Sequence, residues 1–400
     1  MVNTPFSPPP QAGPVITWLL NEARTLPSGP AALKELGLRL NAAGLSLARA
    51  SFHVRTLHPQ FFGIGFFWYR GEDEIQTFLA QHGIRDTDLY QRSPLRLIFE
   101  EEVEELHQSL EQPDEVLPFL LFAELKADGF TDYLALPLMF SDGKIHCTTW
   151  VTDKAGGFDD DDVALIKSIL PIFGLLIEIH LNRRIAINIL NTYVGREAGE
   201  RILEGQITRG SGETIPAAIW FSDLRGFTPL SEEKGRDELL AILNQSFDAL
   251  VTPVTERGGE VLKFIGDAVL AIFPLTEENA CGKALEAAIE AQAALAATNR
   301  ERKERGEDVI TAGIALHIGE VMYGNIGSAT RLDFTVIGPA VNLASRIEGL
   351  CRDLGVDLLL SSAFKNRLDS KVPLTQLGHH RLKGVKDEVA VFSPSAGLVA

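Results

Sequence analysis

Residues 260–273 limit the fold more than any other stretch. Two strand-like runs, Glu260-Val-Leu-Lys-Phe-Ile and Ala268-Val-Leu-Ala-Ile-Phe, are joined by Gly266-Asp267 alone, so they read as an antiparallel hairpin with Asp267 at its tip. Upstream, residues 217–224 form an apolar run of strand formers that carries Asp223 near its end, just before Gly226 breaks the pattern. The Asp223 carboxylate therefore belongs at a strand's edge, facing a loop. If these strands pair, two carboxylates meet at one end of a sheet, an arrangement suited to hard cations that keep open positions for phosphate. A lone Asp at a strand end is more often a turn former, because its side chain bonds nearby backbone. What shifts the reading to a phosphoryl site is a third block, Asp333-Phe-Thr-Val-Ile-Gly-Pro-Ala-Val-Asn-Leu-Ala-Ser-Arg346, behind the other two.

Four hundred residues exceed the usual single domain, so two domains are expected. With 54 acidic against 37 basic residues the formal charge is −17, which argues against a nucleic-acid partner, since phosphate contacts need clustered Lys and Arg. Any triphosphate must then be drawn in by local features. Cys147, Cys281 and Cys351 are widely spaced and odd in number, which fits a reducing compartment without a disulfide framework. Residues 1–14 read as a disordered Pro-rich leader, not a signal peptide. The most apolar stretch, 169–181, is too short for a span and is interrupted by Glu178 and His180. No membrane insertion and a cytoplasmic location are expected.

Along the N-terminal half, apolar residues recur at helical spacing over 15–26 and 31–43. Strand-like runs follow around 51–57 and 65–69, then an acidic helical stretch over 94–112. A hairpin runs from 133 to 151 through Ser141-Asp-Gly143. Asp159-Asp-Asp-Asp162 precedes a long apolar helix, and acids there complement the helix dipole. In that helix Ile166, Ile169, Leu170, Phe173, Leu176, Ile177 and Leu181 exceed one narrow stripe. Burial against a copy in a second chain is expected, the alternative being the helix's own sheet. The order of elements over 15–181 resembles a GAF or related PAS-type α/β sensor domain, by pattern and not by motif. A sensor implies an unknown small-molecule ligand; Trp68, Tyr69, His53, His58 and Trp150 are candidates to line its pocket, although aromatic side chains most often pack a core. Asp153-Lys154…Phe158…Asp162-Val163 only partly echoes the signature of cyclic-nucleotide-binding GAF domains. Residues 182–212 are read as a helical linker ending in a Gly-rich joint.

From 213 to 393, strands and helices alternate with hairpins among them, an α+β sandwich with helices on one sheet face. Helices are expected over 235–256 and 279–305, a strand over 309–319, and glycine turns over 320–327. Phe-Ser-Asp-x-Arg-Gly-Phe-Thr, Lys-Phe-Ile-Gly-Asp and Thr-Val-Ile-Gly-x-x-Val-Asn-x-Ala-Ser-Arg resemble the catalytic blocks of class III nucleotidyl cyclases, over roughly 215–392. The resemblance implies a ferredoxin-like α+β domain that closes ATP to 3′,5′-cyclic AMP with release of pyrophosphate. It implies two Mg²⁺ or Mn²⁺ ions per site on Asp223 and Asp267, and phosphate contacts from backbone around Arg225, Gly226 and Phe227. Lys263 and Thr335 would read adenine, Asn342 the ribose, Arg346 the α-phosphate charge and Lys383 the terminal phosphates. The family shares each site across a head-to-tail homodimer. Pro339 stands where many relatives carry an acid, which puts in doubt the bicarbonate response known in the subgroup with Thr at the Thr335 position. A guanylate cyclase and a non-catalytic nucleotide-binding scaffold are the alternatives; Lys263 with Thr335 opposes the first and the intact Asp, Asn and Arg set opposes the second.

Overall fold

A computed structural model describes residues 9–369 and 372–395 and divides the chain into two compact units, Met1–Ile189 and Leu190–Ala400. Most of the leader read over 1–14 lies outside the described residues, and its end is already helix, which begins at Ala12.

The first unit opens with α1 (Ala12–Asn21) and α2 (Gly29–Ala42), followed by β1 (Leu47–Arg55), β2 (Phe61–Tyr69) and β3 (Gln76–Gln81). Then come α3 (Asp88–Gln91), α4 (Pro94–Phe99), β4 (Leu106–Ser109), α5 (Leu120–Ala127), β5 (Asp132–Met139), β6 (Ile145–Thr152) and α6 (Asp160–Val194). The strands form one antiparallel sheet in the order β3-β2-β1-β6-β5-β4. Alternation along the strands gives it two apolar faces. Phe52, Leu134 and Trp150 face α1, α2 and α6, whereas Tyr133, Cys147 and Val151 face α4 and α5.

Two expectations change here. Residues 94–112 are one short helix and then a strand, because Leu106–Ser109 pairs with β5; the gain of a strand partner overrides local helical propensity. The seven apolar residues of α6 are all buried in the chain's own core beside Phe52 and Leu136, so this helix covers its own sheet. Its buried Glu178 accepts bonds from Ser141 N at 2.9 Å and Ser141 Oγ at 2.5 Å, which locks the helix to the β5–β6 turn. By length and composition α6 could cross a membrane, yet these apolar residues are the floor of the first unit. Its acidic start caps it: Asp162 N donates to Asp159 Oδ1 at 2.9 Å, and Asp159 N to Asp162 Oδ2 at 3.2 Å. Of the pocket candidates, Trp68 and Trp150 are core residues, Tyr69 lies under Arg49 and His58 stacks on Phe61. His53 lines a cavity.

The second unit contains α7 (Arg196–Leu203), β7 (Gly212–Leu224), α8 (Phe227–Glu233), α9 (Arg236–Glu256), β8 (Glu260–Ile265), β9 (Ala268–Pro274) and α10 (Ala280–Glu304). It continues with β10 (Ala312–Gly327), β11 (Leu332–Ile337), α11 (Pro339–Leu354), β12 (Leu358–Ser361), α12 (Ser362–Lys365), β13 (Leu374–His380) and β14 (Val389–Pro394). The sheet order is β13-β14-β12-β10-β7-β9-β8, with β11 on β10. Helices cover both faces instead of one. Trp220, Val269 and Leu316 pack with α9 and α10, and Ala217, Ile219 and Leu270 pack with Ala344 of α11. Because β7 is apolar on both sides, both sides need cover. The glycines read as turns over 320–327 lie inside β10. A Cβ on Gly324 would come 2.3 Å from Ser211 O. Gly324 marks a close approach, whereas Gly327, at φ 148°, ends β10 at the reversal into β11.

Candidate active site

The hairpin forms as its spacing requires. Ile265 sits opposite Ala268, so Gly266 and Asp267 are the whole loop, and Gly266 takes φ 65°, a conformation glycine adopts without cost. On the other edge of β9, Ser222 lies opposite Val269. Asp223 is therefore beside the hairpin tip, and the two carboxylates meet at one end of the sheet.

Crowding shows in the titration of this corner. Burial, then the Asp267 charge, raise the Asp223 carboxyl to about 6. A third acid, Glu348 of α11, rises to about 7 through burial and then through Asp223, with Arg225 opposing. Both carboxyls hold a proton more tightly folded than unfolded. Their contribution to stability is complete below their ordinary values of 3.8 and 4.5 and is lost as pH rises through about 6 and about 7. In metal-free buffer, thermal unfolding midpoints are expected to fall between pH 5 and 8, and Asp223→Asn should flatten the fall; an equal slope in the variant would reject this account.

The structure separates Arg225 from the rest of the predicted set. Its amide donates to Thr311 O at 2.8 Å, and its guanidinium bonds Val356 O and Asp357 at 2.8 Å for the ion pair. Both the backbone and the side chain of Arg225 are thus occupied within the protein. Gly226, at φ 70°, is the N-cap of α8, whose first residue is Phe227.

A second cluster gathers around β11. Lys263 Nζ donates to Asp333 Oδ2 at 2.5 Å. Thr335, two residues on, shares the strand face of Asp333, while Phe334 and Val336 enter the core. Thr335 is 5% exposed, and its Oγ1 is buried with no partner among the described residues. A hydroxyl left so costs about 1–3 kcal/mol, which a ligand group can recover. On α11, Asn342 and Arg346 are one turn apart on one face. Arg346 forms no ion pair among the described residues. A Cβ on Gly384 would lie 3.5 Å from its guanidinium, which places the loop carrying Lys383 against Arg346.

The two clusters occupy different stretches of one long strand. Asp223 lies opposite Gly313 and Thr335 opposite Gly324, eleven residues further along β10. No hydrogen bond or ion pair joins them among the described residues.

Residues 211–393 match the adenylate and guanylate cyclase catalytic domain. This part of the chain belongs to that class III cyclase family. An adenylate cyclase of Anabaena cylindrica is 38% identical over 163 residues, 40% of this chain and 32% of that protein. Adenylate cyclase 1 of Rhizobium meliloti is 28% identical over 254 residues, 60% of this chain and 37% of that protein. A crystal structure of the guanylyl cyclase Cya2 is 32% identical, covering 45% of this chain and 92% of that one with a TM-score of 0.41. The chain thus spans about a third of the length of these curated relatives.

Class III cyclase domains work with divalent metal ions, and the cyclase corner here fits such a group. Its donors are carboxylate oxygens, and their mutual repulsion is what a cation relieves. Among the described residues no three His, Cys, Asp or Glu side chains group around one point, so two carboxylates would leave the remaining positions to substrate oxygens and water. Sequence reasoning gave no role to Asp333 or Glu348. The signal for Asp333 was its spacing of two from Thr335 on a strand. Glu348 had none, since only the packing of α11 brings it to Asp223.

Proposed function

We propose that the chain is an adenylate cyclase acting as a homodimer, located in the cytoplasm and regulated by its N-terminal unit, read as a GAF-like sensor. The observation that carries the catalytic reading is the side-by-side pair Asp223 and Asp267 at the β7–β9 sheet end of a cyclase domain. Divalent cations, Mg²⁺ or Mn²⁺, two to a site, would supply charge neutralisation and Lewis-acid polarisation at the triphosphate. Asp223 and Asp267 hold them. Amides of Gly226 and Phe227 face phosphate oxygens at the start of α8. Lys263 Nζ donates to an adenine ring nitrogen, and the unpartnered Thr335 hydroxyl accepts from the exocyclic amine; Lys263 leaves Asp333 or shares it. Asn342 fixes the ribose so that its 3′ oxygen faces the α-phosphorus. The 3′ O–P bond forms, the bond from α-phosphorus to the bridging oxygen breaks, pyrophosphate leaves with the electron pair, and the hydroxyl proton passes to solvent. Arg346 meets the charge that develops on the α-phosphate, and its fork of donors suits that geometry. Lys383 steadies the outgoing phosphates.

The separation of the two clusters along β10 supports a shared site, in which the acids of one protomer face Lys263, Thr335, Asn342 and Arg346 of its partner. Purified protein is expected to form cyclic AMP from ATP with manganese. Cyclic GMP from GTP should be severalfold slower at the least, and Asp267→Ala should form neither. Cyclic GMP as the main product would replace adenylate with guanylate cyclase. No product, even after removal of residues 1–189, would leave a nucleotide-binding scaffold.

A further inference from the structure

On the sheet face opposite α6, the first unit has a cavity of about 260 Å³, open to solvent on one side, between β1, β2, β3 and residues 84–99. Most of its wall is apolar, with Phe62, Phe67, Phe99 and Leu95 prominent. Glycine keeps the floor low: a Cβ on Gly65 would lie 2.7 Å from His53 Nδ1 and 3.3 Å from Phe67.

One end of this cavity is cationic without a counterion. Arg49 is 7% exposed; among the described residues it takes part in no ion pair and its buried Nε has no partner. The ring faces of Phe67 at 4.9 Å and Tyr69 at 5.5 Å hold it. Tyr133, 1% exposed, also lines the cavity, and its hydroxyl is buried without a partner. Arg55 adds a second guanidinium, which donates to Phe99 O at 3.1 Å and meets Tyr90 and the Glu100 charge, so it is already compensated, although its Nε has no partner among the described residues. No Asp or Glu lines the cavity. His53 adds no charge: burial, then Arg49, lower it to about 3, and its Nε2 is bonded to Ser51 Oγ at 2.9 Å.

A buried cation with no partner is costly, and natural proteins leave one only where something else completes it. Here the missing partner is an anion, and the rest of the space asks for hydrocarbon. We propose that this cavity binds a small apolar monocarboxylate. Its carboxylate accepts from the Arg49 guanidinium and the Tyr133 hydroxyl, and its hydrocarbon part lies against Phe62, Phe99 and Leu95. The flat guanidinium fork matches a planar carboxylate. This binding site does not depend on the catalytic reading, since its occupancy is read without any turnover.

Titration calorimetry and thermal unfolding of the full chain with phenylacetate, 4-methylpentanoate and octanoate test it, with phenylacetamide as the uncharged control. At least one acid is expected to bind and raise the unfolding midpoint, with phenylacetamide about tenfold or more weaker than phenylacetate, as loss of a charge-assisted bond implies. Arg49→Met should abolish acid binding without lowering the midpoint of the free protein. Tyr133→Phe keeps the ring and should weaken the acid about three- to tenfold; it serves if Arg49→Met does not fold. Binding of none of the three acids, equal binding of acid and amide, or unchanged affinity in the variant that folds would each overturn the proposal.

Discussion

An equimolar mixture of Asp267→Ala and Arg346→Ala chains, co-expressed so that they assemble together, is expected to form cyclic AMP at about a quarter of the wild-type rate, because half of the dimers are mixed and each has one intact site of two. Each variant expressed alone should be slower than wild type by a hundredfold or more, as expected for loss of a metal carboxylate or of a charge-stabilising Arg. Asp267 sits at the hairpin tip beside Asp223, whereas Arg346 lies on α11 against the Lys383 loop. In a mixed dimer, one site receives both altered residues and the other receives neither. A mixture as inactive as its components would reject the shared site, and activity in either variant alone would reject the role given to that residue.

Phe173→Ala is expected to destabilise the first unit by about 3–5 kcal/mol, the usual cost of removing a buried aromatic ring. Phe173 is wholly buried and meets Phe52 edge-on, with ring centroids 6.1 Å apart. Its contacts are within the chain, so the loss in urea unfolding should not depend on protein concentration over a hundredfold range. A loss that shrinks as the protein is concentrated would mean that this face of α6 is instead covered by a second chain.

A helix apolar over most of its girth must be buried, but periodicity does not say against what. The answer required the sheet, whose Phe52, Leu136 and Trp150 present a complementary face. The acidic residues 159–162 were legible as a cap because capping is local, an exchange of bonds between Asp159 and Asp162. Leu106–Ser109 reads as helix because its reason to be a strand is a partner strand, Asp132–Ala135, well downstream in the chain. Gly324 reads as a turn because composition alone does not distinguish a reversal from a close approach; the atom that requires it, Ser211 O, lies more than a hundred residues away along the chain.

The catalytic half was the more legible for the same reason. A two-residue hairpin loop sets its own register, and register places Asp267; a strand that ends at a glycine places Asp223. Spacing of four on a helix puts Asn342 and Arg346 on one face, whatever surrounds them. These the sequence by itself determined, since each follows from the period of a helix or strand or from the reach of a tight turn. Tertiary structure decided which unlike segments meet: Glu348 beside Asp223, Asp333 on Lys263, and the occupied amide and guanidinium of Arg225. It also decided that Arg49 and Tyr133 share a cavity without an acid. Contacts between residues tens of positions apart depend on how whole elements pack, and packing is a sum over many weak, non-directional contacts that no short pattern encodes.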